Sequence, residues 1–263
     1  ISHAFLSALE NSGSATQQTG WAPRHLALEL DGKLVGAAPL YEKSHSFGEY
    51  VFDHHWAEAY ERAGGRYYPK LLTAVPFTPV PGRRLLAATD ERRSALAATL
   101  AEIAGRSHSS SLHVNFIETG DAAILEGQGF LRRLGVQYHW FNRGYETYDE
   151  FLSALASRKR KALRRERAEA QRGLKISRLT GAQISDRVWD GFWRFYQDTG
   201  ARKWGQPYLT RAFFDEIAQT MSDYIMMAIA ECDGRLIAGA LNLIGGEALY
   251  GRYWGRIEDR PFL

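Results

Sequence analysis

Residues 26–38 read LALELDGKLVGAA and residues 228–240 read AIAECDGRLIAGA, so Glu29, Asp31, Gly32, Leu34 and Ala38 each recur 202 positions later. In both stretches an alternating apolar run meets Asp-Gly, a dipeptide that tolerates positive φ and suits a tight hairpin turn, and a β-rich run leaves it. Each stretch therefore predicts strand, turn, strand. Lys33 is replaced by Arg235 and Val35 by Ile237, which fits a duplicated unit and equally fits two unrelated hairpins obeying the same turn chemistry.

The chain has 263 residues, enough for two units of ordinary domain size, each able to bury a core without staples. A hydrophobic fraction of 45% and a charged fraction of 24% are those of a globular protein, and no stretch is apolar for the length of a bilayer crossing. The lone cysteine, Cys232, has no internal partner, which favours a reducing, cytoplasmic setting and a small buried apolar role. The chain begins at Ile1 and stops at Leu263, and it reads as an excerpt.

Working outward from the first hairpin, residues 67–82 are aromatic and punctuated by Pro69, Pro76, Pro79 and Pro81, predicting an extended, irregular path with any strand at an edge. Asp90 is a candidate cap for a helix carrying Leu96, Leu100 and Ile103 up to Gly105, and residues 111–117 alternate as a strand. A short helix over 121–127 follows, and Gly129-Phe130 opens a β-rich run from Val136 to Asn142 that predicts a last strand. Thr147 and Glu150 form a capping-box pattern predicting one long helix to Gly173. Residues 174–179 predict a strand. Helices over 186–199 and after Thr210 present Val188, Phe192, Phe195 and Tyr196, and Phe213, Phe214, Ile217 and Met221, to a core. The second hairpin, a Gly245-Gly246 turn and a run from Ala248 to Trp254 end the chain. Two units are expected, 1–145 and 146–263.

Between Arg158 and Arg172 stand eight basic and two acidic residues, while the whole chain carries +3, so the positive charge is local. At 100° per residue Arg158, Lys161, Arg165 and Arg172 share a narrow stripe flanked by Arg160, Arg164 and Arg167, with Leu152, Leu155, Ala156, Leu163 and Ala170 on the other side. The pattern predicts a helix docked on one face and cationic on the other. Such a face suits phosphates of RNA, of a nucleotide-linked sugar or of anionic lipid, and its bland alternative is a solvated surface.

Asp53-His54-His55 invites a metal reading, but adjacent histidines point apart and no further His or Cys stands at ligand spacing, so no metal is expected. No Gly-x-Ser-x-Gly elbow supports a serine hydrolase, and no Walker or dinucleotide glycine loop is present. Arg202-Lys203-Trp204-Gly205 falls between two helices, where a cation beside an aromatic suggests ligand contact or a loop cap with Trp204 folded over the core.

The order of hairpin, third strand, helix, strand, helix and Gly129-Phe130 resembles the GNAT acyltransferase fold, and the partial second copy resembles its first half. Joined by a basic helix, the pair resembles the Fem peptidoglycan aminoacyltransferases, most closely their proteobacterial FemAB-like branch. The segments that carry this are Phe52-Asp53-His54-His55-Trp56-Ala57, residues 74–82, Tyr208-Leu209 with Phe213-Phe214, and Tyr250-Gly251-Arg252-Tyr253-Trp254-Gly255. The resemblance implies an α/β fold of tandem GNAT-like units, each a mixed, mainly antiparallel sheet flanked by helices, the second truncated. It implies a substrate cleft between the units lined by Lys70, Arg160, Tyr196, Arg202, Lys203 and Tyr253, and the charge stripe of the basic helix adds Arg158, Lys161 and Arg165 as the expected anion-binding set. It further implies transfer of an acyl or aminoacyl group to an amine, from acyl-CoA or aminoacyl-tRNA, onto a glycan precursor or other amine acceptor, with tRNA or an anionic membrane as further partners and a cytoplasmic or membrane-peripheral location. The Fem Pro-Arg-Gly-Pro run is not reproduced. Arg252 to Ile257 matches only the first half of the GNAT pyrophosphate cradle, so the donor stays open. The alternatives are a non-catalytic glycan or nucleic-acid recognition module and an ordinary CoA-dependent N-acetyltransferase.

Overall fold

The computed structural model describes residues 2–203 and 207–262, Lys203 in its backbone alone. The fold is mixed α/β, with sheets flanked by helices, and the chain divides into two compact units. The first comprises Ile1–Leu134 with Tyr208–Ile217, and the second Gly135–Pro207 with Ala218–Leu263.

In the first unit the order is α1 (His3–Asn11), β1 (Trp21–Pro23), β2 (Leu26–Leu30), β3 (Lys33–Ala38), β4 (Leu40–Lys43), α2 (His54–Arg62), β5 (Lys70–Thr73), β6 (Leu86–Ala87), α3 (Asp90–Arg106), β7 (Leu112–Val114) and α4 (Thr119–Gly127). One sheet runs β1-β4-β5-β7, antiparallel except for the β5–β7 pair, and a second runs β2-β3-β6. Strand alternation gives the first sheet two unlike faces. Leu40, Leu71, Leu112 and Val114 point to an apolar core shared with Leu96 and Leu100 of α3 and Leu125 of α4. Cross-strand register places Trp21, Lys43 and Lys70 in one row on the opposite face, with Tyr41, Leu72 and His113 in the next.

The second unit contains α5 (Tyr148–Ser153), α6 (Ser157–Ala170), β8 (Lys175–Thr180), α7 (Asp186–Lys203), β9 (Ile225–Cys232), β10 (Arg235–Ile244) and β11 (Leu249–Arg256), and α8 (Arg211–Thr220) belongs to the first unit through Ile217. Its sheet, β11-β10-β9-β8, is antiparallel throughout. Helix α7 contributes Val188, Phe192 and Phe195 to a core with Met227, Ile229 and Leu241. Gly255 permits that packing, because a Cβ there would overlap the Phe195 carbonyl.

Both Asp-Gly hairpins form, with positive φ at Asp31 (51°), Gly32 (71°), Asp233 (48°) and Gly234 (76°), as a primed turn requires. Each also carries a β-bulge. The register passes from Glu29↔Leu34 to Leu28↔Gly36, skipping Val35, and from Leu236↔Glu231 to Ala238↔Ala230, skipping Ile237. Val35 and Ile237 are themselves equivalent positions of the repeat, so the two hairpins share an irregularity that turn chemistry alone does not dictate.

Several local expectations are corrected. Residues 67–82 hold β5, a fully buried central strand, because Pro69 and Pro76 fall outside Lys70–Thr73 and leave every ladder N–H in place. The Val136–Asn142 run pairs with no strand, and residues 131–144 are continuously exposed. The helix expected from Thr147 to Gly173 is two helices. Thr147 caps α5, and the backbone leaves the helical region at Ala156 (φ −55°, ψ 143°), a break that no proline or glycine explains. Helix α6 buries no residue, and its half-buried positions are Arg160, Ala162, Leu163, Glu166, Glu169 and Ala170, a shallow face instead of a docked apolar one. Thr89, not Asp90, caps α3, its side chain accepting from the Arg92 N–H.

Candidate functional site

The charged face of the first sheet is closed over by residues 44–69, and the result is a buried block of opposite charges. Lys43 and Lys70 are both 0% exposed. The Lys70 ammonium uses its three hydrogens on Ser46 Oγ at 2.8 Å, Glu49 Oε2 at 2.9 Å and Asp53 Oδ2 at 2.5 Å. Tyr67 donates its hydroxyl to the same Asp53 oxygen at 2.8 Å, and Ser46 also meets the Tyr68 hydroxyl. Lys43 stands 3.7 Å over the Trp21 ring and donates to the Phe47 carbonyl at 3.4 Å. Two cations thus face two carboxylates in a dry environment, where an unpaired charge is costly.

Burial pushes the Lys43 ammonium down to about 7, Glu49 opposing the fall and Lys70 adding to it. Burial likewise raises Glu49, against the charge and hydrogen bond of Lys70. For Asp53 burial is outweighed by hydrogen bonds from Lys70 and Ser46, the Lys70 charge and the Tyr67 hydroxyl, which hold it below its ordinary value. Asp53 also accepts from Tyr67, whereas Lys70 is the one donor to Glu49 among the described residues, and that difference separates the two carboxylates. His113 is pushed down to about 4, by burial first and then by the Lys70 charge, so it is neutral at physiological pH. Donor atoms of Glu49, Asp53 and His113 lie within 4.8 Å of one another, the spacing of a metal site. Lys70 already supplies the cation between the two carboxylates.

The second unit assembles a different group. Helix α7 and strand β11 bring Tyr196 and Tyr253 edge to face at 5.5 Å, and the Arg252 guanidinium lies 5.3 Å from the Tyr253 ring. The register of β10 with β11 passes from Leu241↔Tyr253 to Asn242↔Gly251, making Arg252 the extra residue of a bulge on the sheet's outer strand. Arg202 braces the end of this strand, donating to the Arg256 carbonyl at 2.7 Å and pairing with Asp198.

On α6, Arg160 donates to the Ser153 carbonyl, Arg164 pairs with Asp149 and Arg167 lies over Tyr148, and just past its end Arg172 pairs with Glu169. Arg158, Lys161 and Arg165 have no partner among the described residues. Of the expected site residues, then, the structure joins Tyr196 with Tyr253, ties Arg202 to the strand that carries Tyr253, leaves the anion-binding triple free among the described residues, and encloses Lys70. The Lys203 side chain, Trp204 and Gly205 lie outside the described residues. Sequence reasoning missed Lys43, Glu49, Tyr67 and His113. Asp53 was noticed only for its histidine neighbours, both of which are exposed.

A family model described as peptidoglycan biosynthesis/recognition, FemAB-like, matches residues 1–263. The chain belongs to the FemAB-like family. The resemblance drawn from the Phe52–Ala57, 74–82 and Tyr250–Gly255 segments is thereby borne out. Seven chains of known structure also match, among them the crystal structure of FemX, 15% identical, with a TM-score of 0.53 over 98% of this chain and 75% of that one. At that identity the likeness is one of fold. No curated protein matches the chain significantly.

Proposed function

We propose that this FemAB-like protein is an N-acyltransferase that moves an acyl or aminoacyl group onto an amine in peptidoglycan or related glycan metabolism. The observation that carries the reading is the bulge at Arg252, on an outer strand that no other strand flanks among the described residues. A bulge re-aims the backbone at one point along a strand, and an open strand edge accepts an extended ligand. The thioester or ester carbonyl of the donor lies at this point, where backbone donors stabilise the developing oxyanion. The amine loses a proton and attacks that carbonyl, the N–C bond forms, and the C–S or C–O bond breaks as the leaving group departs and takes up a proton.

Tyr196 and Tyr253 flank the reacting groups, and Arg202 holds the end of the strand that carries Tyr253. Arg158, Lys161 and Arg165 meet phosphates of a partner. Lys70, its ammonium hydrogens all engaged, acts as a positioning residue that fixes the wall formed by residues 44–69, instead of touching an anionic acceptor. The shared bulge at Val35 and Ile237 supports reading the units as a tandem duplication of a GNAT-like half, the second copy being incomplete in this chain. Incubation with acyl-CoA or aminoacyl-tRNA and amine acceptors, read by mass spectrometry, tests the proposal. An acylated amine is expected. Donor or acceptor binding without product from any donor would instead assign a recognition module, and product from CoA donors with indifference to tRNA would assign a CoA-dependent acetyltransferase.

A further inference from the structure

Within the second unit a run of exposed apolar side chains leads directly into the basic helix. Val136 is 80% exposed, Tyr138 94%, Trp140 65% and Phe141 74%. The run is physically continuous with α6. Trp140 packs edge-on to Phe151 at 6.0 Å, Phe151 meets Tyr148 at 6.0 Å, and the Arg167 guanidinium covers Tyr148 at 4.2 Å. On the same helix Arg158, Lys159, Lys161 and Arg165 have no partner among the described residues, and Arg158, Lys161 and Arg165 share an arc of about 60° at 100° per residue, roughly 120° or more around the helix from Arg167. The first turn of α6 contains no acid and its cap contributes no side-chain hydrogen bond, so cations crowd the positive end of the helix dipole.

We infer that residues 136–141 and helix α6 form a docking surface for an anionic membrane, the rings entering the interfacial zone and the free cations meeting lipid phosphates. Trp and Tyr favour the headgroup level, and basic residues on an exposed helix are drawn to anionic leaflets. Nucleic acid would satisfy the cations and stack on the rings. It would leave Val136 in water, whereas the acyl boundary takes up aliphatic side chains as well as aromatic ones. That difference favours lipid. The inference is independent of catalysis, so its failure would leave the acyl-transfer proposal standing.

The test is co-sedimentation of the full chain with vesicles of pure phosphatidylcholine and of phosphatidylcholine with 30% phosphatidylglycerol, over a salt series. Binding is expected to the anionic vesicles, weakening as salt rises. Each cation near such a surface is worth roughly fivefold, so Arg158→Gln/Lys161→Gln/Arg165→Gln should lower the partition coefficient about a hundredfold. Brominated lipid should quench tryptophan fluorescence, and Trp140→Phe should remove most of that quenching while vesicle binding persists. Tyr138→Ser/Trp140→Ser/Phe141→Ser provides an arm independent of charge and should also weaken binding. Unchanged partitioning of the triple Gln variant, absence of binding to anionic vesicles, or quenching indifferent to Trp140 would each overturn the inference. Binding of a 20-nucleotide RNA with a salt slope reduced by the Gln variant, without vesicle binding, would overturn it in favour of a nucleic-acid surface.

Discussion

Replacing Lys70 with methionine should be among the most destabilising single changes in the first unit. The substitution keeps the stem and removes a charge that is 0% exposed and donates to Ser46, Glu49 and Asp53. Two buried carboxylates would then face each other with only Lys43 to balance them, and that lysine is itself pushed down to about 7 by burial. Removing one partner of a buried ion pair costs about 3–5 kcal/mol, because the other charge is left uncompensated. For a chain of this size that corresponds to a fall in Tm of about 6–20 °C. Urea and thermal unfolding followed by circular dichroism would measure it. The second half of the argument is a double-mutant cycle. Asp53→Asn removes the carboxylate that makes the shortest contact, so Lys70→Met/Asp53→Asn should lose less than the sum of the single variants, by at least about 1 kcal/mol. A Lys70→Met protein within about 1 kcal/mol of the parent, or strictly additive effects, would refute the structural role and return Lys70 to the substrate.

Other consequences follow from the same geometry. Asp121 accepts from the Arg84 N–H at 2.6 Å and the Leu85 N–H at 3.1 Å in a buried setting, so Asp121→Ala should cost about 2–4 kcal/mol in a urea titration, whereas removal of an exposed acid such as Glu61 should cost almost nothing. Gly255→Ala should lower Tm by several degrees, since the added carbon overlaps the Phe195 carbonyl and main chain cannot yield as a side chain would; an unchanged Tm would show that α7 and β11 separate easily. His113, at about 4 when folded and near 6.5 unfolded, binds fewer protons in the folded state between those values. Its contribution to stability therefore rises with pH from about 4 to 6.5, on the order of 3 kcal/mol at most, and His113→Gln should flatten that part of the stability curve relative to the parent.

What was legible in the sequence was local. Asp-Gly between alternating runs specifies a hairpin within a dozen residues, and both hairpins form where expected. The cationic stripe was equally legible because helical spacing alone places Arg158, Lys161 and Arg165 together, although the break at Ala156 was invisible. The buried block was not legible. Lys43 faces Lys70 through strand register, His113 arrives through a parallel pairing, and Glu49 and Asp53 arrive on the covering segment; no sequence spacing encodes that meeting. Proline punctuation misled at β5 because the rule concerns prolines within a strand, and these flank it. The β-rich composition of 136–142 misled for the opposite reason, since propensity describes a surface that fits a sheet and does not supply the sheet. The bulges at Val35, Ile237 and Arg252, on which the proposed duplication and the proposed donor site rest, are features of backbone pairing that side-chain identity does not announce.

The most direct test of the central claim is turnover: purified protein with acyl-CoA or aminoacyl-tRNA and a panel of amine-bearing glycan precursors, with products identified by mass spectrometry and Tyr253→Ala assayed alongside. The account predicts an amide product whose rate falls at least tenfold in the Tyr253→Ala variant while the fold, checked by circular dichroism, is retained. Precursor binding with no amide from any donor would contradict it.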